Sequence, residues 1–240
     1  MGGEREAELA GNLASVQARI DGACATAGRD PGTVTIVAIT KTRPASDVHL
    51  LAELGVRHVG ENRDQEAREK AAACTGLGLT WHFVGQLQRN KAASVARYAD
   101  IVESVDRPSL VAALDRAAEQ TGRRLGVCLQ VDLDGTALDT AVAGPGRGGA
   151  RPADILGLAD QVAQCGSLDL LGLMAVAPLG EDPRSAFDLL VGIHEQLLTH
   201  HQGASMRSAG MSGDLEPAIA AGATHVRLGS ALLGHREPLK

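Results

Sequence analysis

Aromatic residues are almost missing from this 240-residue chain: Trp81, Phe83, Tyr98 and Phe187 are the whole set. Four rings cannot supply the stacking platforms that hold single-stranded nucleic acid. Positive charge is not in excess either. The 23 Lys and Arg face 29 Asp and Glu, for a net charge of −6, and no basic run occurs. Nucleic acid and an anionic membrane surface are therefore excluded as main partners. No apolar run approaches the ~20 residues of a membrane-spanning helix. The N-terminal MGGEREAELA is charged at once, without the apolar stretch of a signal peptide, which predicts a cytoplasmic protein. Cys24, Cys74, Cys128 and Cys165 lie far apart, with no Cys-x-x-Cys and no nearby His pair. That spacing argues against a metal site or a disulfide framework and for small buried hydrophobes in a reducing compartment. Lysine is as scarce as the aromatics: Lys41, Lys70, Lys91 and Lys240.

What is plentiful is apolar material, 44% of the chain, and it alternates in a regular way. Short β-branched runs are each followed by a longer stretch with helical spacing. Leu9, Leu13, Val16 and Ile20 place a first helix near Ala7–Ala27. VTIVAIT, Val34–Thr40, reads as a strand buried on both faces. Further strands are predicted at His58–Gly60, Trp81–Gly85, Ile101–Val105, Gly126–Leu133, Leu168–Val176, Met206–Gly210 and Thr224–Gly229, each followed by a helix. The helix after strand three is predicted over Asn90–Ala99, and a glycine-rich loop, Gly144–Ala150, precedes the helix after strand five. Strands alternating with helices imply parallel pairing, because each return needs a crossover. Eight such units in about 250 residues match an α/β fold of the (β/α)8 TIM-barrel type. The prediction is one domain, residues 1–240, with an extra N-terminal helix. A doubly wound sheet is the alternative. It would want a Gly-x-Gly-x-x-Gly turn after strand one, where this chain has Thr40-Lys41-Thr42-Arg43-Pro44.

In a barrel, chemistry gathers where strands end and βα loops begin. Lys41 follows strand one directly, beside Ile39. A lysine that loses hydration there can act as a neutral amine and capture an aldehyde as a Schiff base. A plain surface lysine is the other reading, but a chain that uses Arg for almost every generic positive charge favours the first. The turns after strands seven and eight read AGMSGDLE and RLGSALLG, and each opens a short helix. Ser212, Gly213, Gly229 and Ser230 can approach an anion closely, and this is the usual phosphate site of a barrel. Arg227 lies inside apolar strand eight, where it needs a carboxylate or a ligand acceptor. Asn62 and His82 sit near strand ends, where both can line the mouth near a cofactor, although a histidine of this kind is more often a satisfied core residue than an acid or base. Lys91 reads as a helix start or surface ion pair. An amine, a phosphate cradle and an arginine for a ring nitrogen together describe a site for pyridoxal 5′-phosphate (PLP).

These motifs resemble one family. IVAITKTRP around Lys41, VGENRDQE at Val59–Glu66, WHFVGQLQRNK at Trp81–Lys91, GLMAV at Gly172–Val176 and GMSGDLEPAIAAGATHVRLGSALLG at Gly210–Gly234 are similar to the pyridoxal phosphate homeostasis proteins. That family looks like the barrel domain of alanine racemase without its second domain. The resemblance implies that Lys41 carries PLP and Arg227 faces the pyridine nitrogen. It also implies that Ser212, Gly229 and Ser230 hold the phosphate, with Asn62 near the cofactor. Its members support vitamin B6 and amino-acid homeostasis without an established turnover. This chain departs from the family pattern at Arg63, often Tyr, and at Ser230, commonly Thr. It departs again at Arg147-Gly148-Gly149, where a Lys-x-Gly motif is usual.

Binding is the expected activity. An arginine opposite the ring nitrogen disfavours its protonation and weakens the ring as an electron sink. A two-base racemase needs a second base, a Tyr from the second domain in alanine racemases, and Tyr98 reads as part of a helix. The expectation is a PLP carrier or buffer, a monomer or weak homodimer, that passes PLP to apo-enzymes. The alternatives are a weak amino-acid racemase and a Schiff-base aldolase-type lyase.

Overall fold

A computed structural model describes residues 2–134, 148–178 and 180–234. Arg147, with the rest of the 144–147 stretch of the glycine-rich loop, and Lys240 lie outside the described residues. Eight parallel strands close into a barrel in chain order, the first pairing with both the second and the eighth. Val37 of β1 (Thr35–Ile39) sits opposite His58 of β2 (His58–Glu61) and opposite Arg227 of β8 (His225–Leu228). Closure excludes the doubly wound sheet.

The signals that start and stop these elements are local. Helix α1 (Gly2–Ala27) begins earlier than the apolar spacing alone predicts. Helix α2 (Ala45–Glu53) follows Pro44, which is fixed in an extended backbone. After β2 come α3 (Asp64–Ala73) and β3 (Thr80–Phe83). The helix predicted over Asn90–Ala99 is shorter and ends at Val95. A 3-10 turn at Arg89–Lys91 leads into a four-residue α4 (Ala92–Val95), and Tyr98 stands in the turn beyond it. The helix ends early because the chain must bring Asp100 N–H to the Trp81 carbonyl, 2.8 Å away, to start β4 (Ile101–Val105). Helix α5 (Pro108–Thr121) opens on Pro at its first position and stops at Gly122, whose φ of 65° an L side chain would resist. Strand β5 (Leu125–Val131) is buried along its whole length, and α6 (Ile155–Ala163) follows it. Strand β6 (Leu168–Ala175) leads to α7 (Pro183–His200), where Asp182 caps the Arg184 N–H.

The last two units are short: β7 (Met206–Ser208), α8 (Leu215–Ala220), then β8 and α9 (Ser230–Leu233). Helix α1 braces them. Its Leu9, Val16 and Ile20 belong to the main core, between sheet and helices, with Leu215, Ile219 and Leu232. Asn12 donates to the Leu232 carbonyl at 3.1 Å, and Arg19 donates to the Ser212 carbonyl at 3.1 Å. The extra helix thus anchors the two turns that carry the candidate phosphate residues. No helix among the described residues is long and apolar enough to cross a membrane.

Candidate functional site

Strand alternation decides which side chains reach the barrel axis. A Cβ added to Gly60 would lie 2.5 Å from Ile39 Cδ1, 3.1 Å from Val37 Cγ1 and 3.7 Å from Val84 Cγ1. Gly60, Val37, Ile39 and Val84 therefore share the interior. The same alternation carries that face on to Lys41 after β1 and Asn62 after β2. At the C-terminal mouth these residues open onto a cavity of about 650 Å³. Its polar wall is Lys41, Arg43, Asn62, Ser212, Arg227 and Ser230, with Gly229 at the turn; Met174, Val176 and Met211 supply apolar surface.

Lys41 is exposed, so burial does not supply the loss of hydration expected of it. Ser212 and Ser230 face each other, Oγ to Oγ at 3.4 Å, and the Ser212 hydroxyl accepts the Ala231 N–H at 3.2 Å. The turn that carries Ser212 depends on Gly210. Its φ is 92°, and an added Cβ would sit 2.6 Å from Ala218 Cβ.

Arg227 is at the floor of the cavity and only 5% exposed. Its Nη1 donates to Ser208 Oγ and its Nη2 to the Ala175 carbonyl, both at 2.7 Å. Glu103 Oε2 lies 3.8 Å from Nη1 and accepts the Ser208 hydroxyl at 2.6 Å. Burial lowers the Arg227 pKa from its ordinary value, and the charges of Glu103 and Asp214 oppose that. For Glu103, burial pushes the pKa up, yet the His82 hydrogen bond and charge, Arg227 and Ser208 outweigh it and hold the carboxyl at about 2. Glu103 is thus the counter-ion of Arg227.

His82 takes the core reading and not the cofactor-binding one. It is buried in the barrel interior and does not line the cavity. Its Nδ1 is 2.6 Å from Glu103 Oε1, and its Nε2 is 2.9 Å from His58 Nδ1. The inward-facing register of β3 directs the ring to the axis below the mouth, where a buried carboxylate needs a partner. Burial and the neighbouring His82 lower the His58 pKa, and burial lowers that of His225 to about 4. The order His58, His82, Glu103, Ser208, Arg227 forms one hydrogen-bonded chain that ends at the cavity floor.

Sequence reading missed two members of this site. Glu103 interrupts the apolar run IVESV as Arg227 interrupts THVRLG, the same signal of a buried charge awaiting a partner. Arg43 stands two positions after Lys41, lines the same cavity and donates to the Gly234 carbonyl at 2.6 Å.

Residues 12–237 match the model of the alanine racemase N-terminal domain. The pyridoxal phosphate homeostasis protein of Mycobacterium tuberculosis is 42% identical over 97% of this chain and 95% of its own length. That of Escherichia coli is 33% identical over 96% and 97%. This chain belongs to the pyridoxal phosphate homeostasis protein family. The structure of PipY from Synechococcus elongatus with PLP bound is 34% identical, with a TM-score of 0.79 over 94% of this chain and all of PipY. Alanine racemase from Corynebacterium glutamicum shares the fold at a TM-score of 0.69 and 13% identity. It covers 94% of this chain but only 60% of the racemase, so the racemase carries a further part that this chain does not match.

Proposed function

We propose that this protein binds PLP reversibly at the barrel mouth and serves PLP and amino-acid homeostasis as a carrier. The observation that carries the reading is the donor set around one cavity: a primary amine, two serine hydroxyls and a buried guanidinium. That set fits an aldehyde, a phosphate and a ring nitrogen. When bound, PLP supplies an aldehyde that an amine captures reversibly and a ring that withdraws electrons. Lys41 is the residue proposed to hold it, as a Schiff base. Ser212, Ser230 and the Gly229 backbone would bind the phosphate, and Asn62 would orient the ring from the facing wall. Arg227, pinned on both terminal nitrogens, would face the ring nitrogen and oppose its protonation.

The same wall favours holding over turnover. Of the described residues that line the cavity, none is Asp, Glu, His, Cys or Tyr. Arginine does not give up its proton, so among the described lining residues Lys41 is the single base. Tyr98 is not among the lining residues. A two-base racemisation has no second member here, and release to an apo-enzyme needs only exchange of one amine for another.

The test is optical. Purified protein titrated with PLP should develop visible absorbance with one equivalent, and Lys41→Ala should abolish it. Absorbance that survives in Lys41→Ala overturns the assignment. D-amino acid formation by the PLP-loaded protein above the Lys41→Ala background overturns the carrier reading in favour of a racemase.

A further inference from the structure

The residue after Lys41 is held in an unfavourable backbone conformation. Thr42 has φ 63°, in the left-handed region, and no other described non-glycine residue has a positive φ. A β-branched residue stays there only where its surroundings over-determine it. Those surroundings come from β2 and α3. The Glu66 carboxylate accepts the Thr42 N–H and, on the same oxygen, a hydrogen bond from Lys70 Nζ at 2.9 Å. Lys70 Nζ also donates to the Thr40 carbonyl at 2.7 Å and to Glu61 Oε1. Glu61 accepts the Thr40 hydroxyl at 2.5 Å.

The peptide groups on both sides of Lys41 are thus gripped by one cluster. The Thr40 carbonyl before it and the Thr42 N–H after it are tied through Lys70 and Glu66. Helix α3 is highly charged, yet its Lys70 is only 5% exposed, and Glu61 is fully buried. The three protons of the ammonium meet three acceptors, while the second Glu61 oxygen, Oε2, is buried without a partner. None of the three residues lines the cavity. Whatever they contribute passes through Lys41.

We infer that Lys70 is a positioning residue that, with Glu61 and Glu66, locks the Thr40–Thr42 turn so that the Lys41 amine is presented at the cavity wall. This inference rests on the reading of Lys41 as the residue that holds PLP. A buried ion pair that serves only folding would stabilise the chain without controlling this turn, and the two roles separate experimentally.

Three variants are compared with wild type: Lys70→Met, Glu66→Ala and Thr42→Gly, the last also combined with each of the others. Two readouts are taken. Amide exchange at Thr42 is followed by NMR on protein without PLP, and PLP affinity is measured by absorbance titration. Lys70→Met and Glu66→Ala should each raise exchange at Thr42 at least tenfold and weaken PLP binding about tenfold. Thr42→Gly should restore most of that affinity in both backgrounds, because glycine takes the left-handed conformation without help. Affinity within twofold of wild type in both single variants overturns the proposal. So does weaker binding with unchanged Thr42 exchange and no rescue by glycine. Should Lys70→Met fail to fold, Glu66→Ala decides alone, since its side chain is part-exposed and leaves the Glu61–Lys70 pair intact. If wild type does not bind PLP at Lys41, the proposed function fails, while the exchange data still judge the clamp.

Discussion

Replacing Glu103 by Gln removes one charge from the barrel axis and keeps the shape. The loss follows from the geometry in two independent ways. At 3.8 Å from Arg227 Nη1, the carboxylate contributes about 4 kcal/mol of attraction at an effective dielectric of ~20. Removing one member of a buried pair costs roughly 3–5 kcal/mol, since the partner charge stays buried without compensation. The titration leads to a similar figure. The carboxyl is held at about 2 against an ordinary 4.5, against the cost of burial, first by the His82 hydrogen bond and charge and then by Arg227 and Ser208, which corresponds to about 3 kcal/mol for all these partners together. The sign is fixed by the direction of the shift. A depressed pKa in the folded state means stability that is complete above pH ~4.5 and is lost as pH falls towards 2. Urea unfolding at pH 7 should therefore place Glu103→Gln about 3–4 kcal/mol below wild type. The gap should narrow between pH 4.5 and 2 as wild type takes up the proton. A variant within 1 kcal/mol of wild type at pH 7, or a gap that does not change with pH, refutes the assignment of Glu103 as the counter-ion of Arg227.

Two further outcomes follow from close contacts. Gly60→Ala puts a methyl 2.5 Å from Ile39 Cδ1 and should cost about 1–3 kcal/mol through overpacking, measured as the urea midpoint at constant slope. Ser212→Ala should change stability by less than ~1 kcal/mol yet lower the preference for PLP over phosphate-free pyridoxal about tenfold, the effect of one hydrogen bond to an anion. Equal losses for the two ligands would remove Ser212 from the phosphate site.

The barrel was legible because the strands are short apolar runs that alternate with stretches of helical spacing, as in VTIVAIT before Lys41 and THVRLG before Ser230. The mouth residues were legible because they follow strand ends directly. What escaped was pairing across the barrel. Ser208 and Glu103 are 105 positions apart, and nothing local marks them as partners. His82 was open to both a core and a mouth reading, since a strand end does not disclose how deep along the axis a side chain lies until the neighbouring strands fix the register. Nothing local marks Lys70 as buried, because its helix is highly charged and only the packing of α3 on β2 sets it against Glu61. The short α4 escaped for the same reason: its length is set by where Asp100 must pair with Trp81, not by the residues of the helix.

The central claim is that one lysine of four holds PLP. Borohydride reduction of the PLP-loaded protein, followed by peptide mapping, reads that directly. The account predicts a single pyridoxyl group, found on the peptide that contains Lys41 and absent from Lys41→Ala. Modification spread over Lys70, Lys91 and Lys240, or persisting in Lys41→Ala, contradicts it.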